Sequence, residues 1–214
     1  MISKELWSRF IFTLILFLIF SVAFFVYQLF YVVLITICVG IVMETTAMIL
    51  RKYSRRSLFL LLFVMIATSA LLFSGQYLYF KNKSLFVAVV VAISAADIFA
   101  YFGGKLFGKN RLAPRISPGK TWEGFFAGLS ASVLVFVCIS TFKLVSIPFE
   151  QALLLGILLS FTSVGGDLFE SKIKREFDVK DSGNLLGAHG GIFDRFDSYV
   201  FSIPITTLLY YLLH

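Results

Sequence analysis

Seven apolar runs leave this 214-residue chain little sequence for anything else: residues 10–27, 31–50, 57–79, 85–102, 125–145, 151–166 and 199–213. A helix crosses the roughly 30 Å hydrocarbon core of a bilayer with about 20 such residues. Only 14% of the chain is charged, against about 25% in ordinary soluble domains. Together with 59% hydrophobic residues and a mean hydropathy of +0.92, this excludes a soluble fold. The expected architecture is all-α: a polytopic integral membrane bundle of about seven transmembrane helices. No stretch between the runs is long enough for a separate soluble domain, so residues 1–214 form one membrane-embedded unit. Residues 1–80 supply its N-terminal helices, and residues 84–214 carry its polar segments. The first run follows Lys4 and Arg9 as a signal peptide would, yet it lacks an Ala-x-Ala-like cleavage site and is expected to be retained.

Charge sets the orientation. With the N-terminus in the cytoplasm, sixteen of the nineteen Lys and Arg residues fall on the inner side, and only Lys81, Lys83 and Lys143 fall outside. Cytoplasmic loops carry such an excess. The net charge of +7 therefore marks inner loops rather than a nucleic-acid surface. Cys38 and Cys138 lie inside apolar runs, where a thiol packs as a small hydrophobe.

Two inner segments concentrate the polar chemistry. "GGKLFGKNRLAPRISPGKTWEG", residues 103–124, is rich in Gly, Pro and cations and reads as a loop with an anion partner. Its Gly119-Lys120-Thr121 is not a phosphate loop of the nucleotide-hydrolase kind, because Pro114 stands where that pattern needs Gly. In "GDLFESKIKREFDVKDSGNLLGAHGGIFDRFDS", residues 166–198, Ser163, Asp167 and Ser171 recur every four residues, placing them on one face of a helix that continues out of the sixth run. Lys174 and Arg175 follow within a turn. Asp194 and Asp197 share a face, with Arg195 between them. Gly183, Gly187, Gly190 and Gly191 would let the backbone approach a ligand closely or adopt positive φ. Carboxylates interleaved with cations suit Mg²⁺ and polyphosphate better than zinc. Asp97 and Glu44 lie inside spans, where a carboxylate normally has a partner; a helix-to-helix contact and a site role stand at even odds for both.

These residues resemble the phosphatidate cytidylyltransferase (CDP-diacylglycerol synthase) family. Its C-terminal signature is matched by Ser171, Lys174, Arg175, Lys180, Asp181, Gly183, Leu186, Gly187, His189, Gly190, Gly191, Asp194, Arg195 and Asp197. "ISPGKTWEG", residues 116–124, and "ADIFAYFGGKLFGK", residues 96–109, resemble further stretches of the same family, so the recognisable part is roughly the C-terminal half. Many members carry Pro-Gly where this chain has Gly187-Ala188, a change expected to loosen that turn.

The resemblance implies transfer of a cytidylyl group from CTP to phosphatidic acid, giving CDP-diacylglycerol and pyrophosphate in phospholipid biosynthesis. It implies Asp167 and Asp194 as Mg²⁺ ligands, with a monovalent cation such as K⁺ as a further candidate and Ser171 and Asp197 in support. Lys174, Arg175, Lys180 and Arg195 would bind phosphates. Ser117, Lys120 and Thr121 would close over nucleotide or headgroup, while Asp97, Asp181 and His189 would contact the ligand or order the loop. A homodimer in the bacterial cytoplasmic membrane, with the site facing the cytoplasm, completes the expectation. The rivals are a transferase acting on another lipid phosphate, such as an ether lipid, and a transporter lined by Glu44, Asp97 and Asp167.

Overall fold

The computed structural model describes residues 14–15, 18–53, 55–187 and 190–213. Among these, six helices are long and apolar enough to cross a membrane: α1 (Tyr27–Arg51), α2 (Arg55–Lys81), α3 (Lys83–Phe107), α4 (Trp122–Thr141), α5 (Phe149–Glu176) and α6 (Phe193–Leu213). Of the first expected span, residues 14–15 and 18–25 are helical; residues 10–13 and 16–17, with the inside N-terminus, lie outside the described residues.

The helix ends follow local chemistry. Asn82 caps α3 by accepting a hydrogen bond from Leu85 N at 2.9 Å, and Thr121 Oγ1 accepts one from Gly124 N at 3.1 Å to cap α4. Pro148 opens α5, where a missing N–H does no harm. Segment 103–124 is more ordered than its composition suggests. Residues up to Phe107 extend α3, and Arg111–Ala113 (β1) pairs antiparallel with Ser117–Thr121 (β2), in the register Arg111 to Thr121 and Ala113 to Ser117 with an irregularity between. The expected loop is thus a β-hairpin that feeds directly into α4.

Packing inverts toward lipid. Ile41, Leu71, Leu85, Ile93, Phe136 and Leu155 are fully buried among the helices, while Phe59, Phe73 and Leu134 turn outward. An apolar rim of this kind needs hydrocarbon as its solvent. A close backbone seam joins α3 to α4. A Cβ on Gly124 would come within 2.6 Å of the Ala100 carbonyl oxygen, and one on Gly128 within 2.7 Å of the Ala96 carbonyl oxygen. Small residues one turn apart let two backbones touch, the main source of helix attraction where lipid removes the hydrophobic drive. This seam sets the hairpin at one end of the bundle, beside the C-terminal end of α5 and the start of α6.

Substituting Gly128→Ala should lower the thermal midpoint in detergent by several degrees, since backbone cannot yield as a flexible side chain would. Gly165→Ala on α5, whose Cβ would meet nothing within 4 Å, should leave the midpoint unchanged or raise it slightly. Equal effects at both positions would remove the seam from the account.

Candidate active site

At the hairpin end of the bundle lies a cavity of about 690 Å³. Asp97 reaches it from α3, Asp167 from α5, and Asp194, Arg195 and Asp197 from the first turns of α6. Ser117, Lys120 and Thr121 close it from β2, and Lys105 and Arg111 add positive charge at its edge. Residues distant in sequence meet here because α5 and the hairpin both overrun the apolar core, while α6 starts inside it. The spacing of Ser163, Asp167 and Ser171 has the expected result: one face of α5 directs all three toward the polar end.

Each acid holds a specific partner. Asp167 Oδ2 forms an ion pair with Lys120 Nζ at 2.6 Å, and its Oδ1 accepts a hydrogen bond from Ser171 Oγ at 3.2 Å. Asp97 Oδ1 accepts one from Ser163 Oγ at 3.4 Å, and Asp197 Oδ1 accepts one from Ser198 N at 2.6 Å. Asp97, Asp167 and Asp197 lie near enough to repel one another, and Lys120 attracts Asp97 and Asp197 as well as its partner. One ammonium therefore moderates three acids.

Asp194 lines the same cavity and is more heavily bonded. Its Oδ1 accepts from Lys174 Nζ at 2.7 Å, and its Oδ2 accepts from Ser182 N at 2.9 Å and Gly191 N at 2.8 Å. Lys174 also pairs with Glu170 Oε2 at 2.6 Å, so one ammonium bridges two acids that are almost wholly shielded from solvent. Removing the bridge would leave two buried carboxylates facing each other, an arrangement that costs several kcal/mol when one partner is lost.

The donor set suits a hard divalent cation. Each carboxylate offers about four lone-pair sites. Asp167 uses one on each oxygen, leaving one free on each, whereas Asp194 retains capacity chiefly on Oδ1. Among the described residues no three of Asp, Glu, His and Cys converge as a complete metal cage. Mg²⁺ binds through one or two carboxylates and completes its shell with water and phosphate oxygens, and the free lone pairs on Asp167 and Asp194 are of the type it takes.

Other singled-out residues lie elsewhere. Lys174 stands behind Asp194 rather than in the cavity wall. Arg175 is exposed and donates from Nε to the Ile116 carbonyl oxygen at 3.4 Å, tying α5 to the hairpin turn. Lys180 and Asp181 are exposed and off the cavity lining, and His189 lies outside the described residues. Gly187 has φ 57°, a left-handed conformation closed to proline, and its N–H donates to the Asn184 carbonyl oxygen at 2.9 Å. Glycine at this position therefore permits a turn that proline would not.

The whole-chain comparison extends the likeness beyond the C-terminal half. The model of the family described as "Cytidylyltransferase family" matches residues 10–213. The chain is 44% identical over 128 residues to a phosphatidate cytidylyltransferase of Pseudomonas aeruginosa, covering 59% of this chain and 47% of that protein. It is 49% identical over 132 residues to one from Bacillus subtilis, covering 60% and 46%. These alignments span about half the length of both relatives. With one from Rickettsia bellii, identity is 37% over 183 residues, covering 83% of this chain and 78% of that protein.

Lys174→Met should destabilise the protein by about 3 kcal/mol in a denaturant titration, because Glu170 and Asp194 would lose their shared counter-charge. Adding Glu170→Gln should restore a good part of that loss. Without any restoration, the bridge would not be what makes Lys174 necessary.

Proposed function

Because the chain belongs to the cytidylyltransferase family, we propose that it transfers the cytidylyl group of CTP to phosphatidic acid, forming CDP-diacylglycerol and pyrophosphate. The observation that carries this reading is the acid-lined, cation-edged cavity at one end of an apolar bundle, which suits a nucleotide polyphosphate and a lipid phosphate meeting at the membrane surface. The excess of Lys and Arg on that side supports a cytoplasmic orientation, where CTP is available.

A phosphate oxygen of the lipid attacks the α-phosphorus of CTP. The bond from that phosphorus to the oxygen bridging to the β-phosphate breaks, and pyrophosphate leaves with the electron pair. No side chain has to remove a proton from the nucleophile, since a phosphate monoester is largely doubly ionised at neutral pH. The barrier is one of charge and alignment: two polyanions must meet, and transfers of this kind depend on positioned counter-charge.

Lys120 and Arg195 are the cations best placed to neutralise phosphate oxygens within the cavity, with Lys105 and Arg111 at its edge. Lys120 is paired with Asp167, so incoming phosphate competes with that carboxylate for the ammonium. Ser171 keeps Asp167 aimed at the cavity, and Lys174 with the Ser182 and Gly191 amides does the same for Asp194. Mg²⁺ held by Asp167 and Asp194, with Asp197 beside them, would supply charge neutralisation at the transferring phosphoryl group.

The test is formation of CDP-diacylglycerol from CTP and phosphatidic acid by purified protein, followed by mass spectrometry of the lipid extract. Asp167→Asn should reduce the rate by at least about 100-fold while the protein still inserts in the membrane and keeps its thermal midpoint. More than half the activity surviving in that variant would contradict the assignment.

A further inference from the structure

Glu44 is a buried acid that the chemistry above does not use. It lies on α1, two turns before Arg51, and is 4% exposed. Its partners lie 138 to 149 residues further along the chain. Oε1 accepts a hydrogen bond from Ile192 N at 2.9 Å, and Oε2 accepts one from Phe193 N at 3.0 Å and one from Ser182 Oγ at 2.8 Å. The two amides belong to the start of α6, whose early N–H groups have no acceptor within the helix. A carboxylate placed there meets both the unpaired donors and the positive end of the helix dipole.

The same carboxylate reaches the cavity acid through one residue. Ser182 Oγ lies 3.1 Å from Asp194 Oδ2, and the Ser182 N–H donates to that oxygen. A hydroxyl has a single proton. Here the shorter contact directs it to Glu44, so the Ser182 oxygen faces the Asp194 N–H at 3.3 Å as acceptor. Two glycines make room for this: a Cβ on Gly183 would come within 2.5 Å of Glu44 Oε1, and one on Gly191 within 2.5 Å of Glu44 Oε2. Their smallness, expected to admit a ligand, admits the carboxylate of another helix.

We propose that Glu44 is a positioning residue for the reaction: through the first amides of α6 and through Ser182 it fixes where Asp194 stands in the cavity. The N-terminal helices thereby take part in catalysis without touching substrate. The inference rests on the cytidylyl-transfer reading, since Asp194 is placed by that reading among the reacting groups. Misplacing a reacting group by a fraction of a helix turn acts on kcat far more than on the affinity of a nucleotide held by other side chains.

The experiment is a double-mutant cycle on the full chain in detergent, with Glu44→Gln, Ser182→Ala and the pair. Each single variant should lower kcat by about 10- to 100-fold with KM for CTP within about twofold. The pair should lose little more than the worse single variant, because both act along one path. Ser182→Ala leaves Glu44 bonded to the Ile192 and Phe193 amides, so it should keep the wild-type thermal midpoint and separates positioning from folding. A cycle in which the losses multiply, or a Glu44→Gln variant with wild-type kcat, would overturn the proposal. Amide hydrogen exchange over residues 182–195 is read in parallel. If the wild-type protein does not act on CTP and phosphatidic acid, the activity reading fails by itself. Faster exchange in both single variants then upholds the anchor, and unchanged exchange refutes it.

Discussion

A carboxylate within a membrane bundle must bring its own solvation, and the polar end of this protein is arranged around that requirement. Isolated charges at such depth cost several kcal/mol unless paired or bonded. Glu44, Asp97, Asp167, Glu170, Asp194 and Asp197 all sit within or at the ends of apolar helices. Each is met by a lysine, a hydroxyl or a backbone amide, and for Glu44, Asp97, Asp167 and Asp194 that partner comes from another part of the chain. Those four acids therefore act as fasteners of the bundle's polar end.

The fastening also explains why the polar segment after α5 has so little apolar material of its own. It is held to two helices by carboxylates, Glu44 from α1 and Asp194 from α6, and Lys174 on α5 in turn pairs with Asp194. The hairpin is tied on by Lys120 to Asp167 and by Arg175 to the Ile116 carbonyl. The cavity these ties enclose is open to a polar ligand from the end of the bundle and flanked by lipid-facing helices. In the proposed reaction the ion pairs have a second use. Lys120 holds Asp167 until a phosphate arrives to compete for the ammonium, while Lys174 holds Asp194 in place from behind the cavity wall.

Local pattern made much of this legible from sequence. The spans follow from apolar runs, and the four-residue spacing of Ser163, Asp167 and Ser171 marked the polar face of α5. The hairpin escaped because its strands, Arg111–Ala113 and Ser117–Thr121, are too short to alternate, and Pro118 and Gly119 interrupt the second. Glu44 could be flagged as a buried acid but not assigned, since its partners are more than a hundred residues away and no local spacing encodes them. Ser182 carried no signal at all. Glu170 had one: it lies four residues before Lys174, a spacing that usually means a solvated surface pair and here means a buried bridge. Burial, which decides between those meanings, is a tertiary property.

The central claim is that the lipid phosphate attacks the α-phosphorus of CTP. The most direct test follows the label from CTP carrying ³²P at either the α or the γ position, incubated with the purified protein, phosphatidic acid and Mg²⁺. The account requires the α label to enter the lipid fraction and the γ label to leave as water-soluble pyrophosphate. Lipid labelled from the γ position would make the protein a kinase, and lipid labelled from neither would remove nucleotidyl transfer to this substrate altogether.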